Sequence, residues 1–143
     1  MSEGFQNLPH PRALAFLGDA VFEILLREMA VGQGLSHSKD LHAFTTQRAR
    51  AEAQVALLHQ IKPHLTEAEL EIIRQGRNIT VSTGRRAGQA AHRQATGFEA
   101  LMGALYLTDR ERLYALWHRM EPLLATVPEM EAAENLSPDN LLE

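Results

Sequence analysis

Apolar residues run almost without a break through Ala13-Leu14-Ala15-Phe16-Leu17-Gly18-Asp19-Ala20-Val21-Phe22-Glu23-Ile24-Leu25-Leu26. A second such run is Ala95-Thr96-Gly97-Phe98-Glu99-Ala100-Leu101-Met102-Gly103-Ala104-Leu105-Tyr106-Leu107. A helix apolar on every face is expected to be buried. Sustained alternation and β-branched runs are missing, so the chain reads as all-α. The first helix is expected to start near Pro11, a residue suited to an early helical position, and to end near Gly32-Gln33-Gly34. Ser36 or Ser38 is the expected cap of the next helical segment. That segment carries Leu41, Phe44, Ala49, Ala53, Val55, Ala56 and Leu58 at helical spacing, with Pro63 closing it. Thr66 followed by Glu69 spells a capping box for a helix through Leu70, Ile72 and Ile73. Gly76 is the expected end of that helix. Residues 78–89 are polar, with Gly84, Gly88 and paired arginines, and read as a loop. A last helix is expected from Asp109, as its cap, through Leu113, Leu116, Trp117, Met120 and Leu124, stopping at Pro128.

Each of the two apolar runs holds a lone acid at its centre: Asp19 and Glu99. Glu23 lies one turn after Asp19 on the same face. A carboxylate in an apolar interior is costly unless it is paired or coordinates something. Two such helices suggest that the acids face each other across a site, with a divalent metal as third party. The plainer reading is a pair of structural ion pairs, which also bury acids. The small residues Gly97, Ala100, Gly103 and Ala104 give the Glu99 helix a face that another backbone can approach closely.

At 143 residues the chain is expected to be one domain with a real core. It has no cysteine, which excludes a disulfide frame and a thiolate zinc site. No apolar stretch reaches the roughly 20 residues of a membrane span, and the N-terminus lacks the pattern of a secretory signal. A cytoplasmic location is the expectation. The net charge of −4 conceals an uneven distribution. From Val127 onward there are five acids and no Lys or Arg, which suggests an acidic tail over 127–143 after a domain spanning 1–126. Between Glu71 and Glu99 there is no acid, but there are Arg74, Arg77, Arg85, Arg86 and Arg93, with His92. Charge runs are usually solvated faces. Arginines around a glycine-containing loop also suit phosphate contact. Arg77, Asn78, Arg85 and Arg86 are the candidates for such contact, whereas Arg74 suits the negative end of a helix dipole.

Phe16-Leu17-Gly18-Asp19-Ala20-Val21 resembles the signature helix of the ribonuclease III nuclease domain, and Phe98 to Leu107 resembles its second carboxylate helix. Their order and spacing, with Leu41-His42 and Gly76-Arg77-Asn78, are similar to the minimal branch of that family, Mini-ribonuclease III, which has the nuclease domain alone. The resemblance runs from about Arg12 to Trp117. It implies an all-α, homodimeric endoribonuclease for double-stranded RNA, with Asp19 and Glu99 as catalytic and metal-binding residues and Mg²⁺ as cofactor. It also implies products with 5′-phosphate and 3′-hydroxyl ends, and maturation of the 23S ribosomal RNA precursor, with a ribosomal protein as a conceivable helper. No double-stranded-RNA-binding domain is expected to follow. Longer family members carry two further acids, at the positions of Ala15 and Thr96 here, so one Mg²⁺ per site is the expectation. Glu23 is read as an ion-pair residue in preference to an extra ligand, and His42 as a hydrogen-bonding residue. The alternative is a non-catalytic helical RNA-binding or ribosome-assembly protein that keeps the fold.

Overall fold

The computed structural model describes residues 5–79 and 89–135, with side chains described to 125. Six α-helices follow one another in it: α1 (Pro11–Gly32), α2 (Ser38–Ala49), α3 (Ala51–Ile61), α4 (Glu67–Arg77), α5 (Gln89–Thr108) and α6 (Arg110–Asn135). No strand occurs among the described residues, and no described helix is long and apolar enough to cross a membrane.

Helix α5 is the axis of the molecule. Phe98, Ala100, Leu101, Met102, Ala104 and Leu105 are fully buried around its circumference, and α1, α3, α4 and α6 pack on it. Phe22 of α1 meets Phe98 edge-on at 5.4 Å and Trp117 of α6 at 5.9 Å. Such edge-to-face contacts add to the burial of the rings. Arg48 of α2 is wholly buried: its Nε donates to the Leu124 carbonyl, Nη1 donates to the Phe44 carbonyl, and the guanidinium lies 3.6 Å over the Phe44 ring.

Three glycines set how closely the helices approach. A Cβ on Gly18 would sit 1.6 Å from the Glu99 carbonyl oxygen, and one on Gly103 would sit 2.1 Å from the Leu14 carbonyl oxygen. Gly18 of α1 and Gly103 of α5 therefore form a reciprocal contact, each one turn from the carbonyl that the other touches. Gly97 does the same toward α4, where its Cβ would lie 2.5 Å from the Ile73 carbonyl oxygen. Backbones this close leave no room for any side chain.

Most helix boundaries follow local chemistry. His10 caps α1 by accepting from the Arg12 N–H through Nδ1, with Pro11 in the first turn. The capping box of α4 is complete: Thr66 Oγ1 accepts from the Glu69 N–H at 3.1 Å, and Glu69 Oε1 accepts from the Thr66 N–H at 2.9 Å. Asp109 Oδ1 accepts from the Arg112 N–H at the start of α6.

Five expectations are corrected. The segment after Gly34 is two helices, because Arg50 adopts an extended conformation (φ −63°, ψ 152°) that breaks α2 from α3. Pro63 lies inside a 3₁₀ turn, Lys62–His64, where its fixed φ fits and its missing N–H is not needed. The residue before α2 is His37, which makes no side-chain capping bond. Gly76 does not end α4: the helix continues to Arg77, and Gly76 is buried where its Cβ would lie 2.9 Å from the Gly97 Cα and the Ala100 Cβ. Helix α6 also passes Pro128 and runs to Asn135. Glu129, Met130, Glu131, Ala132, Ala133 and Glu134 are good helix formers, and the chain beyond the proline follows their propensity.

Candidate active site

The reciprocal glycine contact delivers the two acids to each other. Gly18 presses on the backbone of Glu99 itself, and Asp19 is the next residue on α1. The Asp19 carboxyl is a near neighbour of the Glu99 carboxyl and acts on it electrostatically. Burial pushes the Glu99 carboxyl up to about 7, and the neighbouring Asp19 adds to this; a hydrogen bond from Gln54 opposes it. A second carboxylate beside Glu99 disfavours its charged form. The arrangement is stabilised by anything positive placed between the oxygens.

Burial of the pair differs from the expectation. Glu99 is half-buried, but Asp19 is exposed. The reason is that α1 is not enclosed on all sides. Phe16 is 84 % exposed, Ile24 54 % and Val31 66 %, so an apolar stripe runs along the outer face of α1 beside Asp19.

Gln54 of α3 was not singled out by the sequence. It is 3 % exposed, and its Nε2 donates to the Ala49 carbonyl at 3.1 Å and to Glu99 Oε2 at 3.3 Å. Its Oε1 is buried without a hydrogen-bond partner among the described residues. A leftover buried acceptor of this kind costs about 1–3 kcal/mol. A signal was present: Gln54, Leu57, Leu58 and Ile61 share the buried face of α3, so one polar residue occupies an otherwise apolar stripe.

The donor set is sparse. Among the described residues no group of three or more His, Cys, Asp or Glu is placed to hold a metal ion. Two carboxylates are nonetheless what Mg²⁺ commonly takes from a protein, the rest being water and substrate phosphate. The paired, charge-crowded oxygens of Asp19 and Glu99 fit such an ion. Glu23 is engaged elsewhere, accepting from Arg27 Nε at 2.8 Å. Ala15 is buried, and Thr96 donates to its own helix at the His92 carbonyl.

The other candidates are placed as follows. Arg77 and Asn78 are exposed at the end of α4. Arg85 and Arg86, with most of the loop read at 78–89, lie outside the described residues. Arg74 lies in the last turn of α4, as its dipole reading expects, and is also paired with Glu71 at 2.6 Å. His42 is exposed, 3.4 Å from Thr46 Oγ1. It lines a cleft of about 370 Å³ with Glu23, Arg27, Thr45, Thr46, Ala49 and Arg50. Trp117 is buried in the core.

Comparison with known proteins places this arrangement. The ribonuclease III domain model matches residues 12–110. The chain is 43 % identical over 105 residues to the Mini-ribonuclease 3 of Desulfitobacterium hafniense, spanning 73 % of this chain and 66 % of that protein. It is 42 % identical over 105 residues to the Mini-ribonuclease 3 of Symbiobacterium thermophilum, spanning 72 % of this chain and 81 % of that one. For the Mini-ribonuclease 3 of a Synechococcus species the figures are 43 % over 112 residues, 77 % and 79 %. The X-ray structure of a Fusobacterium nucleatum protein has the same fold, with a TM-score of 0.70 at 24 % identity over 83 % of this chain and 94 % of the other. With the domain model covering both acid helices and relatives this similar over most of their length, the chain belongs to the ribonuclease III domain family, in its Mini-ribonuclease 3 branch, and is an endoribonuclease.

Proposed function

We propose that this protein cleaves double-stranded RNA with Mg²⁺, using Asp19 and Glu99 as the metal-holding pair. One observation carries the reading: two carboxylates from different helices become neighbours where Gly18 and Gly103 let α1 and α5 approach backbone to backbone. A bound Mg²⁺ supplies positive charge at the scissile phosphate and acidifies water, leaving 5′-phosphate and 3′-hydroxyl ends. The protein's own part is positional. Asp19 presents its oxygens from the open side of α1, Glu99 presents its oxygens from the half-buried side, and both must be ionised to hold the ion. A non-catalytic RNA-binding protein has no use for such a crowded pair.

A duplex has two strands, and we propose a homodimer in which each protomer cuts one. The apolar stripe of Phe16, Ile24 and Val31 beside Asp19 supports this, since a large exposed apolar face marks an interaction surface. Double-stranded RNA is read mainly by shape through phosphates and 2′-hydroxyls. Arg77 and Asn78, and Arg85 and Arg86 in the loop outside the described residues, are proposed as its contacts. The proposed physiological substrate is the 23S ribosomal RNA precursor in the cytoplasm. Residues 127–143 are proposed as an acidic extension of the 1–126 domain that takes no part in cleavage.

The test is direct. The pure protein is incubated with a long RNA duplex with and without Mg²⁺, alongside Asp19→Asn and Glu99→Gln. Fragments with 5′-phosphate ends are expected from the parent with Mg²⁺ only. Cleavage by either variant at a near-parent rate would overturn the site. Sedimentation at micromolar concentration is expected to show a dimer, and Phe16→Glu is expected to shift it to monomer.

A further inference from the structure

We propose that Gln54 is a positioning residue for Glu99: its amide, anchored at the α2–α3 corner, holds the carboxylate in the orientation it shares with Asp19. This rests on the metal-holding role of Glu99 given above. Gln54 is buried at a core position of α3, where leucine or methionine would fill the same space. Which end of its amide is nitrogen follows from the geometry. The group facing the Ala49 carbonyl must be a donor, because a carbonyl only accepts. The same nitrogen is 3.3 Å from Glu99 Oε2. Both of its hydrogens are therefore committed, one to a backbone atom at the helix corner and one to the acid. Oε1 is left over, buried without a partner among the described residues. An amide kept only for packing would not be retained in this state. Its orientation is set entirely by the donor side, and the Ala49 contact makes that side rigid.

The extended backbone at Arg50 belongs to the same device. It ends α2 at Ala49, turns the Ala49 carbonyl out of any α-helical bond to α3, and starts α3 so that Gln54 reaches both acceptors. Thus α2 and α3 act on the site through the orientation of Glu99. Groups that orient metal-holding side chains commonly change metal affinity or activity by 10–100-fold when removed.

The experiment measures Mn²⁺ binding by electron paramagnetic resonance in the parent, Gln54→Met and Glu99→Gln, together with melting curves and cleavage kinetics. The parent is expected to bind Mn²⁺ in competition with Mg²⁺, and Glu99→Gln to lose that binding. Gln54→Met is expected to melt within a few degrees of the parent, yet to bind Mn²⁺ about tenfold more weakly or worse. Its Mg²⁺ requirement for half-maximal cleavage should rise by the same factor, with the KM for duplex unchanged. If Gln54→Met binds Mn²⁺ like the parent while Glu99→Gln does not, the positioning role is overturned and the metal role of Glu99 stands. If Glu99→Gln binds like the parent, both are overturned. Should Gln54→Met fail to fold, the Gln54 side-chain amide resonances of the parent decide: they are expected to shift on adding Mg²⁺ and in Glu99→Ala. Resonances that stay in place under both would overturn the proposal.

Discussion

Glu69 and Glu99 are the same residue type on two helices packed against each other, and the fold treats them in opposite ways. Glu69 is 3 % exposed on α4. Burial alone would raise its carboxyl, but hydrogen bonds from Arg112 and the Thr66 N–H, with the Arg112 charge, hold it below the ordinary range. Arg112 Nε meets Oε2 at 2.8 Å and Nη2 meets Oε1 at 2.9 Å, a two-pronged clamp across α4 and α6. Burial acts on Glu99 too, and its carboxyl is pushed up to about 7 by that burial first and by Asp19 in addition. Depth of burial therefore does not separate the structural acid from the functional one. The sign of the neighbour does: Glu69 is answered by an arginine within the chain, and Glu99 is set against a second acid.

The largest expected effect is on activity. Asp19→Asn and Glu99→Gln should each lower cleavage by at least about 10³-fold, given the several kcal/mol that a metal ion supplies. Glu69→Gln should leave the chemistry intact. Single-turnover rates at saturating duplex would check this, and a Glu69 variant that folds but does not cut would break the contrast. Gly18→Ala comes next. A Cβ lodged 1.6 Å from the Glu99 carbonyl must push α1 from α5. Overpacking of this kind costs about 1–3 kcal/mol or more, and the separated acids should lose Mg²⁺ binding as well. Melting curves and metal titration should move together.

The third expectation concerns stability alone. Arg112→Ala leaves Glu69 buried without its partner. We expect a loss of about 2–3 kcal/mol, below the 3–5 of fully buried pairs, because the Arg112 side chain is 28 % exposed. Denaturant titration checks this against Arg74→Ala. That change removes an exposed, solvent-screened pair to Glu71 and should leave stability nearly unchanged.

The smallest effect sharpens the comparison most. The native protein holds a proton on Glu99 that the unfolded chain releases between the ordinary value of 4.5 and about 7. The Glu99 contribution to stability is therefore full below that window and is lost as pH rises through it. Glu69 has the opposite sign: its contribution is present above the ordinary carboxyl range and is lost as pH falls below it. Glu99→Gln should gain melting temperature over the parent as pH rises toward neutrality, and Glu69→Gln should show its deficit there and recover in acid. Parallel profiles for the two variants would contradict the distinction.

Much was legible along the chain. The helical class, the start of α1 at Pro11, the Thr66–Glu69 box and the start of α6 follow from contacts within a few residues. Asp19 and Glu99 stood out because each interrupts an apolar run. Gly76 misled, since a glycine near a helix end signals termination locally, whereas here it makes room for Gly97 and Ala100 of α5. Arg50 gave no local sign of breaking a helix, and residues 49–58 keep helical spacing across the break. Gln54 was overlooked because a single polar residue on an apolar face acquires meaning only through what lies opposite.

The sequence by itself determined the list of parts: which stretches are helical, which residues fill the core, and which two acids lack a nearby basic partner along their own helices. These are matters of propensity and periodicity, settled over one or two turns. Only the tertiary structure decided which parts meet. Asp19 and Glu99 are 80 positions apart, and they are neighbours because Gly18 and Gly103 remove the side chains that would hold α1 off α5. The tertiary structure also decided that Glu69 would be answered by Arg112, 43 residues away, while Glu99 would meet Gln54 and another acid. Electrostatic character depends on neighbours in space, and the close packing of helices chooses those neighbours.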